Sequence, residues 1–508
     1  MSFRRVLFTT SNGTGLGHLT RSMAIARRLP DDVEPLFLTL SAAAPVVEQM
    51  GFAVEYVASY ATPATGNDYR WSRRLRGRLR AVIAEADPDV VVFDGTHPYE
   101  ALLGALGPAR ATVWCRRPLW QQGSSRVPLG RAGAFDAVLE PGEVAESEDR
   151  GPTVALRDRA HRVEPIVLLE RSQLLSREQA EAELGLEPGR TNVLVSLGQG
   201  AEVREATART LAHLAGRDGI QPVALSSALA VAGAARDGVV ELRATYPMSR
   251  YFAAFDGAVA AAGYNAYHEL IALGVPALYV PMRRDTDDQH ARARYAKSAG
   301  LGLGTTGADD PALEAQLDRL LDSGERDMIA ARLTDLGEPE GATQAAHYLA
   351  TLAGAQPAAG ASTIVGADTL ARAGDAAQFR RRWGQFFASL PRTAWRLGRQ
   401  QMTKPRARAL VLAVGIDDAA VIGAVRAGIE AGGEGSEHTL VVTDALSALG
   451  EIRALGVGVE HVPRRGSRQA ELAGESYETF LRARLQLIRA ERPKPRNEAV
   501  APGGAPLP

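Results

Sequence analysis

Short apolar runs alternate with longer amphipathic stretches almost from the first residue. The runs at 6–10, 35–40, 53–56, 89–93 and 112–115 have the length of strands. The one at 89–93 (D-V-V-V-F) is almost wholly apolar, as expected of a strand covered on both faces. Between them, 19–29 (L-T-R-S-M-A-I-A-R-R-L), 44–50 and 73–84 (R-R-L-R-G-R-L-R-A-V-I-A) repeat apolar positions at helical spacing. The pattern restarts near Ser176 with the helix R-E-Q-A-E-A-E-L, stopped by a glycine. A strand at 192–197, a G-x-G-A turn, a long helix, strands at 222–225 and 239–243, a helix carrying Glu269 and a buried strand at 277–280 follow. Alternation of this kind predicts α/β architecture with parallel sheets.

At 508 residues the chain is too long for one core, and the pattern divides it. A first Rossmann-like domain is expected at 1–162 and a second at 163–352, with G-A-T-Q-A-A-H-Y-L-A-T-L as its last helix. Residues 353–375, rich in Ala, Gly and small polar residues, read as a linker. In 376–408, Phe379, Trp383, Phe386, Phe387 and Leu390 recur at helical spacing, nine Lys or Arg lie between Arg380 and Arg408, and no acid interrupts them. An aromatic face beside arginines is the profile of a helix lying in an anionic membrane surface, here through 379–408. A small α/β module at 409–492 resembles a partial repeat of the first domain. G-V-G-V-E-H-V from Gly456 tracks G-F-A-V-E-Y-V from Gly51, and L-R-A-R-L from Leu481 tracks L-R-G-R-L from Leu75. Its first strand ends in G-I-D-D and lacks a glycine loop, which predicts a half-module without phosphate chemistry. The tail 493–508 is expected to be disordered.

Composition changes this picture little. Charged residues make up 23% and the net charge is −1, so no general attraction to nucleic acid exists. One cysteine, Cys115, excludes an intramolecular disulfide and fits a reducing compartment. The N-terminus runs into a strand without a signal-peptide core, and no stretch reaches the roughly 20 apolar residues of a membrane span. The expected location is cytoplasmic, with peripheral contact to the inner face of the plasma membrane through the basic helix.

Three stretches carry candidate chemistry. S-N-G-T-G-L-G-H, between a strand and a helix, brings backbone at Gly13, Gly15 and Gly17 close to an anionic or hydroxylated ligand and sets His18 at the helix start. Asp94 and His97 follow the 89–93 strand at its carboxyl end, where a carboxylate or imidazole in a cleft suits a general base. Asp94 is the first choice as base, with His18 and His97 as alternatives. In A-A-G-Y-N-A-Y-H-E-L, the helix start at Gly263, Tyr264 and Asn265 offers free N–H groups and a positive dipole end to a phosphate. Glu269, a turn and a half further on, is placed for a ribose diol. The polar loop ending in Asp288 and Gln289 lies beyond a strand's carboxyl end, where α/β folds bind ligands.

Glu269, Gly274, Pro276, Pro281, Asp288 and Gln289 fall at the offsets of the donor-binding half of GT-B glycosyltransferases. The chain resembles family 28, to which the GlcNAc transferase that completes lipid II belongs. The resemblance implies a GT-B fold of two Rossmann-like domains facing a cleft, with Glu269 on the ribose and Asp288 and Gln289 facing the donor sugar. It assigns Ser196, Gly198, Gln199 and Gly200 to a second glycine loop at the donor phosphates and sugar, and Met248 to the base. Ala261 departs from the pattern, because related enzymes often carry His or Arg there to meet the diphosphate. The implied activity is inverting transfer of a sugar from a UDP-sugar to a hydroxyl acceptor, a lipid-linked or cell-envelope glycan. No metal or other cofactor is expected, since helix N-termini and glycine-loop N–H groups can take the leaving diphosphate's charge. Two rival readings are a non-hydrolysing UDP-GlcNAc 2-epimerase and a non-catalytic nucleotide-sugar-binding scaffold.

Overall fold

The structure, a computed structural model, describes residues 4–11, 16–66, 68–198, 201–226, 237–243, 245–354, 407–490, 495 and 497–504. Among these, three parallel sheets follow one another along the chain. The first is ordered β3-β2-β1-β4-β5-β6-β7. Its strands are β1 (Arg4–Thr10), β2 (Val33–Thr39), β3 (Ala53–Tyr56), β4 (Val90–Asp94), β5 (Ala111–Cys115), β6 (Ala137–Glu140) and β7 (His161–Arg162). The second is ordered β10-β9-β8-β11-β12-β13. It comprises β8 (Thr191–Ser196), β9 (Ile220–Ser226), β10 (Val240–Arg243), β11 (Gly257–Ala261), β12 (Ala277–Val280) and β13 (Leu303–Gly304). The third is ordered β16-β15-β14-β17, from β14 (Ala409–Ala413), β15 (Thr439–Thr443), β16 (Gly458–His461) and β17 (Asn497–Val500). Strands such as β4 (V-V-V-F-D) and β14 (A-L-V-L-A) are buried at every position because helices cover both faces of their sheets. In each sheet the strand order reverses next to the unit's first strand. In the two large sheets that reversal opens a crevice beyond the carboxyl ends of β1 and β4, and of β8 and β11.

Two sequence expectations need correction. The helix Gly341–Gly354, expected to close the second domain, packs instead into the core of the first lobe. Its Ala345, Ala346 and Leu349 share one apolar cluster with Val6 and Phe8, and its Tyr348 ring stacks on His161 with centroids 3.8 Å apart. An apolar stripe is satisfied by whichever sheet face lies uncovered, and that face here belongs to the other lobe. The tail is also not disordered throughout. Asn497–Val500 pairs in parallel with β14 and completes the third sheet. An edge strand needs main-chain partners more than apolar side chains, so polar composition concealed it. Most of the linker and of the basic aromatic helix at 376–408 lies outside the described residues. Among the described residues no helix is long and apolar enough to cross a membrane.

The third module repeats the strand order of the first half-lobe, with two helices instead of one before its last strand, and docks against it through matching parts. β16 lies beside β3, and the helix Tyr477–Arg489 lies beside the helix Asp68–Ala86. At their junction the buried Glu55 carboxylate of β3 accepts from Arg78 Nε at 2.9 Å and from Arg484 Nη2 at 3.2 Å. These two arginines occupy the same place in the two copies of L-R-x-R-L. In the turn after β14, where a glycine loop would meet phosphate, the Gly415 N–H donates to the Asp444 carboxylate at 3.1 Å.

Candidate active site

β1 leads through residues 12–15 into the helix Gly17–Ala26, and β4 ends beside that helix at Asp94. Gly13 and Gly15 lie outside the described residues. His18 Nδ1 stands 2.6 Å from Asp94 Oδ1. One turn further along, the buried Arg21 donates from Nε to Asp94 Oδ2 at 2.8 Å and from Nη2 to Oδ1. A ring nitrogen that close to a carboxylate oxygen requires a proton between them. Nδ1 therefore carries it, and Nε2 keeps its lone pair. Burial alone would raise the Asp94 carboxyl, but Arg21 and His18 outweigh it and hold Asp94 below the usual carboxylate range. Burial lowers His18, and Arg21 and Arg117 add to that against the pull of Asp94. A carboxylate with both oxygens occupied and a depressed pKa is a poor proton acceptor. A neutral imidazole oriented by it is a good one. Asp94, the first choice as base, thus has both oxygens engaged, and His18 is the candidate carried forward. His97 is exposed next to Trp120, with ring centroids 6.3 Å apart, and is not buried with Asp94.

The second lobe meets this cluster end on. Gly263 caps the helix Tyr264–Ala272, and Asn265 Nδ2 donates across the lobe boundary to the Gly17 carbonyl at 3.1 Å. Two helix N-termini therefore converge, one from each lobe. Asn265 Oδ1 is buried without a hydrogen-bond partner among the described residues. The side chain of Tyr264, expected at the donor, is committed elsewhere. Its hydroxyl donates to the Gly142 carbonyl at 2.9 Å and accepts from the Ile166 N–H at 3.1 Å, and its ring lies between Arg21 and Arg292. Only its backbone remains for a ligand.

Burial pushes the Glu269 carboxyl up to about 7, with the Leu168 N–H as a partial offset. Its surroundings include Tyr246, whose hydroxyl lies 2.9 Å from Thr20 Oγ1 in the first lobe. Glu269 therefore sits at the junction of the lobes. Met248, expected at the base, is the first residue of a short helix, and its side chain is buried in the second lobe's core. Tyr246 is the side chain from that loop that reaches the first lobe. Ser196 ends β8, and Gly198 follows with φ +89°, a left-handed conformation that suits glycine, and open space where a Cβ would sit. Gln199 and Gly200 lie outside the described residues. Because the raised Glu269 pKa means the native state holds a proton the unfolded chain has lost, its cost is absent below about pH 4.5 and full above about pH 7. Glu269→Gln should therefore stabilise the protein at pH 8 by about 2–3 kcal/mol and leave it unchanged at pH 4. Urea unfolding at the two pH values checks this, and equal gains at both would refute it.

Asp288 and Gln289, expected to face the donor sugar, each make hydrogen bonds within the protein. Asp288 Oδ1 caps the helix Gln289–Ala299 by accepting from the Ala291 N–H at 3.0 Å. The buried Gln289 accepts from the Met282 N–H at 3.0 Å and donates to Asp287 Oδ2 at 3.3 Å. The helix start is satisfied by Asp288 Oδ1 and the loop end by Gln289 Oε1. The residue before them carries the charged contacts. Asp287 Oδ1 accepts from Arg117 of the first lobe and from the buried Arg292, each at 2.8 Å. Arg292 also donates to Glu143 Oε2 at 3.0 Å and to the Ala262 carbonyl at 3.0 Å. Backbone bonds close the same seam: Gln121 N–H to the Thr286 carbonyl at 2.7 Å and Asp288 N–H to the Leu119 carbonyl at 3.0 Å.

No family model matches the chain. A curated relative from Clavibacter michiganensis subsp. michiganensis (strain NCPPB 382) is named UDP-N-acetylglucosamine–N-acetylmuramyl-(pentapeptide) pyrophosphoryl-undecaprenol N-acetylglucosamine transferase. It is 30% identical over 300 residues, covering 56% of this chain and 77% of the relative. The chain belongs to this family, glycosyltransferase family 28. A relative of the same name from Clavibacter sepedonicus is 31% identical over 289 residues, covering 52% of the chain and 74% of the relative. Among solved structures, a UDP-glucosyltransferase from Polygonum tinctorium aligns with a TM-score of 0.50 at 14% identity, over 70% of this chain and all of that one. The fold is GT-B, and the protein is a glycosyltransferase.

For a family 28 enzyme the cluster holds more than the sequence suggested. Arg21 went unmarked there, and Arg117, Asp287 and Tyr246 lay in loops that the sequence marked only as wholes. Arg21 had a signal, one helical turn after His18, but its partner Asp94 lies 73 positions away. Arg117 had only its place in a basic, aromatic loop, because a loop arginine acquires meaning from what faces it. Here it faces His18 and pairs with Asp287 of the second lobe.

Proposed function

We propose that this chain transfers a sugar from a UDP-sugar donor to a hydroxyl of a lipid-linked acceptor, with inversion at the anomeric carbon. One observation carries the reading: the His18–Asp94 pair stands where the first turn of the second-lobe helix Tyr264–Ala272 meets the first lobe. His18 Nε2 takes the acceptor proton as its oxygen bonds to C1, the bond from C1 to the diphosphate breaks, and UDP leaves with the electron pair. Charge builds on the diphosphate as that happens. The N–H groups at Gly263–Asn265 and the Arg117 guanidinium are the groups that would stabilise it more in the transition state than in the ground state. Glu269 would accept from the ribose hydroxyls, and Asn265 Oδ1 has an acceptor position to offer a ligand hydroxyl. The relatives' shared name supports both the donor and the lipid-linked acceptor. Contact with an anionic inner membrane face through 379–408 belongs to the same reading.

The test is the full chain incubated with a panel of UDP-sugars and a lipid extract, with products read by mass spectrometry. A mass gain of one sugar on a lipid, retained in EDTA, is the expected result, because protein cations and dipoles serve the diphosphate. UDP-sugar binding by calorimetry without any turnover would favour the scaffold reading instead, and release of an epimerised sugar would favour the epimerase.

A further inference from the structure

We propose that Arg21 is a positioning residue that keeps His18 unprotonated and aimed, so that the imidazole is ready to accept a proton near neutral pH. The inference rests on the reading of His18 as the base. Its own ground is the geometry of a buried three-residue cluster. Arg21 spans both oxygens of Asp94, at 2.8 Å from Nε to Oδ2 and through Nη2 to Oδ1, while Nη2 also stands 3.2 Å from His18 Nδ1. The Tyr264 ring centroid lies 5.2 Å from the Arg21 guanidinium carbon, so the arginine is clamped between the carboxylate of one lobe and an aromatic face of the other.

A carboxylate hydrogen-bonded to an imidazole normally favours the imidazolium. Burial is the largest influence opposing that, but without a guanidinium on the same carboxylate the His18–Asp94 pair would move back toward the protonated form, which lacks the lone pair that the reaction needs. A fixed guanidinium on the same carboxylate offsets that charge at the ring, and a single cation at a few ångströms shifts such an equilibrium by about 1–3 units. The other charged or titratable groups facing the cluster are Arg117, which acts on His18 in the same sense, and Cys115 and Tyr264, which face Arg21. Neither Cys115 nor Tyr264 is ionised near neutral pH, since burial raises both. Arg21 is therefore the nearest cation opposing Asp94. Its two-pronged grip also fixes the carboxylate plane, and through it the ring's direction, which the single point charge of a lysine cannot do.

The experiment is a histidine-labelled NMR titration of the full chain, with the His18 signal assigned among nine histidines by its loss in His18→Ala. It is run beside the pH dependence of kcat/KM for sugar transfer. In Arg21→Gln the His18 titration and the acid limb of kcat/KM should both move up by at least about one unit, so that activity below the limb falls about tenfold. In Arg21→Lys, which keeps the charge and is the arm that decides if the Gln variant does not fold, the titration should stay near wild type. Its kcat should still fall about tenfold, as expected when a bidentate contact becomes a single one. A His18 titration unmoved in Arg21→Gln, or a fully active Arg21→Lys, overturns the proposal. The NMR arm needs no substrate. A shifted titration therefore supports the positioning role even if His18→Ala keeps its transfer activity, a result that would overturn the base assignment alone.

Discussion

Replacing His18 with alanine should lower kcat by about 10²–10⁴-fold, the range expected when a general base is removed. Donor KM should hardly change, since the lost interaction is made in the transition state rather than with bound UDP-sugar. Asp94→Asn should lose much of the same factor. An amide at that position cannot stabilise the imidazolium that forms as the proton arrives, and it can present its N–H to the ring and reverse the tautomer. The effects should not add, because the two residues act as one unit through their 2.6 Å contact. Initial rates of the single and double variants, with UDP affinity measured in parallel, distinguish this from a folding defect. A His18→Ala enzyme within tenfold of wild type would place the base elsewhere, and exposed His97 would be the next residue to test.

Glu55→Gln should cost about 3–5 kcal/mol of stability at pH 7, the usual penalty for removing one partner from a buried ion pair. It leaves the buried Arg78 and Arg484 guanidinium groups without their shared carboxylate, although Arg78 also donates to the His461 carbonyl at 2.8 Å and Arg484 to Glu85 Oε1 at 2.8 Å. The cost should depend on pH with a definite sign. Burial would raise the Glu55 carboxyl, but Arg484 and Arg78 outweigh it and hold it below its ordinary value. Its contribution is therefore present above about pH 4.5 and lost as pH falls through the depressed native pKa. His461, at the same junction, is pushed down to about 3 by burial, so the native state refuses a proton that the unfolded chain accepts below about pH 6.5. Both groups make the docked module acid-sensitive. Denaturant melts from pH 2 to pH 8 should show wild-type stability falling toward acid and the gap to Glu55→Gln holding above about pH 4.5 and narrowing below it. A gap constant across that range would mean the carboxylate is not the group that joins the module to the first lobe.

The parts of the candidate site that could be read in advance are those written in local spacing. His18 at a helix start, the Gly263 helix with Glu269, and Asp94 at a strand end are each fixed by a few neighbouring residues. What Asp94 does is not local. That both its oxygens are engaged follows from His18 and Arg21 reaching them, and no periodicity reports on that. Asp288 and Gln289 show the converse. Their offsets match those of a sugar-facing pair, yet one is used as a helix cap and the other as a loop tie. Spacing identifies a position, and the competing demand of an unsatisfied backbone group decides how the side chain there is spent.

Alternating apolar and amphipathic runs determined that this chain builds parallel α/β sheets, because strand and helix periodicity are properties of neighbouring residues. The repeated G-x-x-V-E-x-V and L-R-x-R-L strings likewise marked the related ends of the chain. Only the tertiary structure decided that the helix Gly341–Gly354 returns to the first lobe, that Asn497–Val500 completes the third sheet, and that Arg78 and Arg484 converge on one glutamate. It alone brought His18, Arg21 and Asp94 together with Arg117 and Asn265. Those outcomes depend on which uncovered faces and uncompensated charges meet once the sheets have formed, and the partners lie tens to hundreds of residues apart.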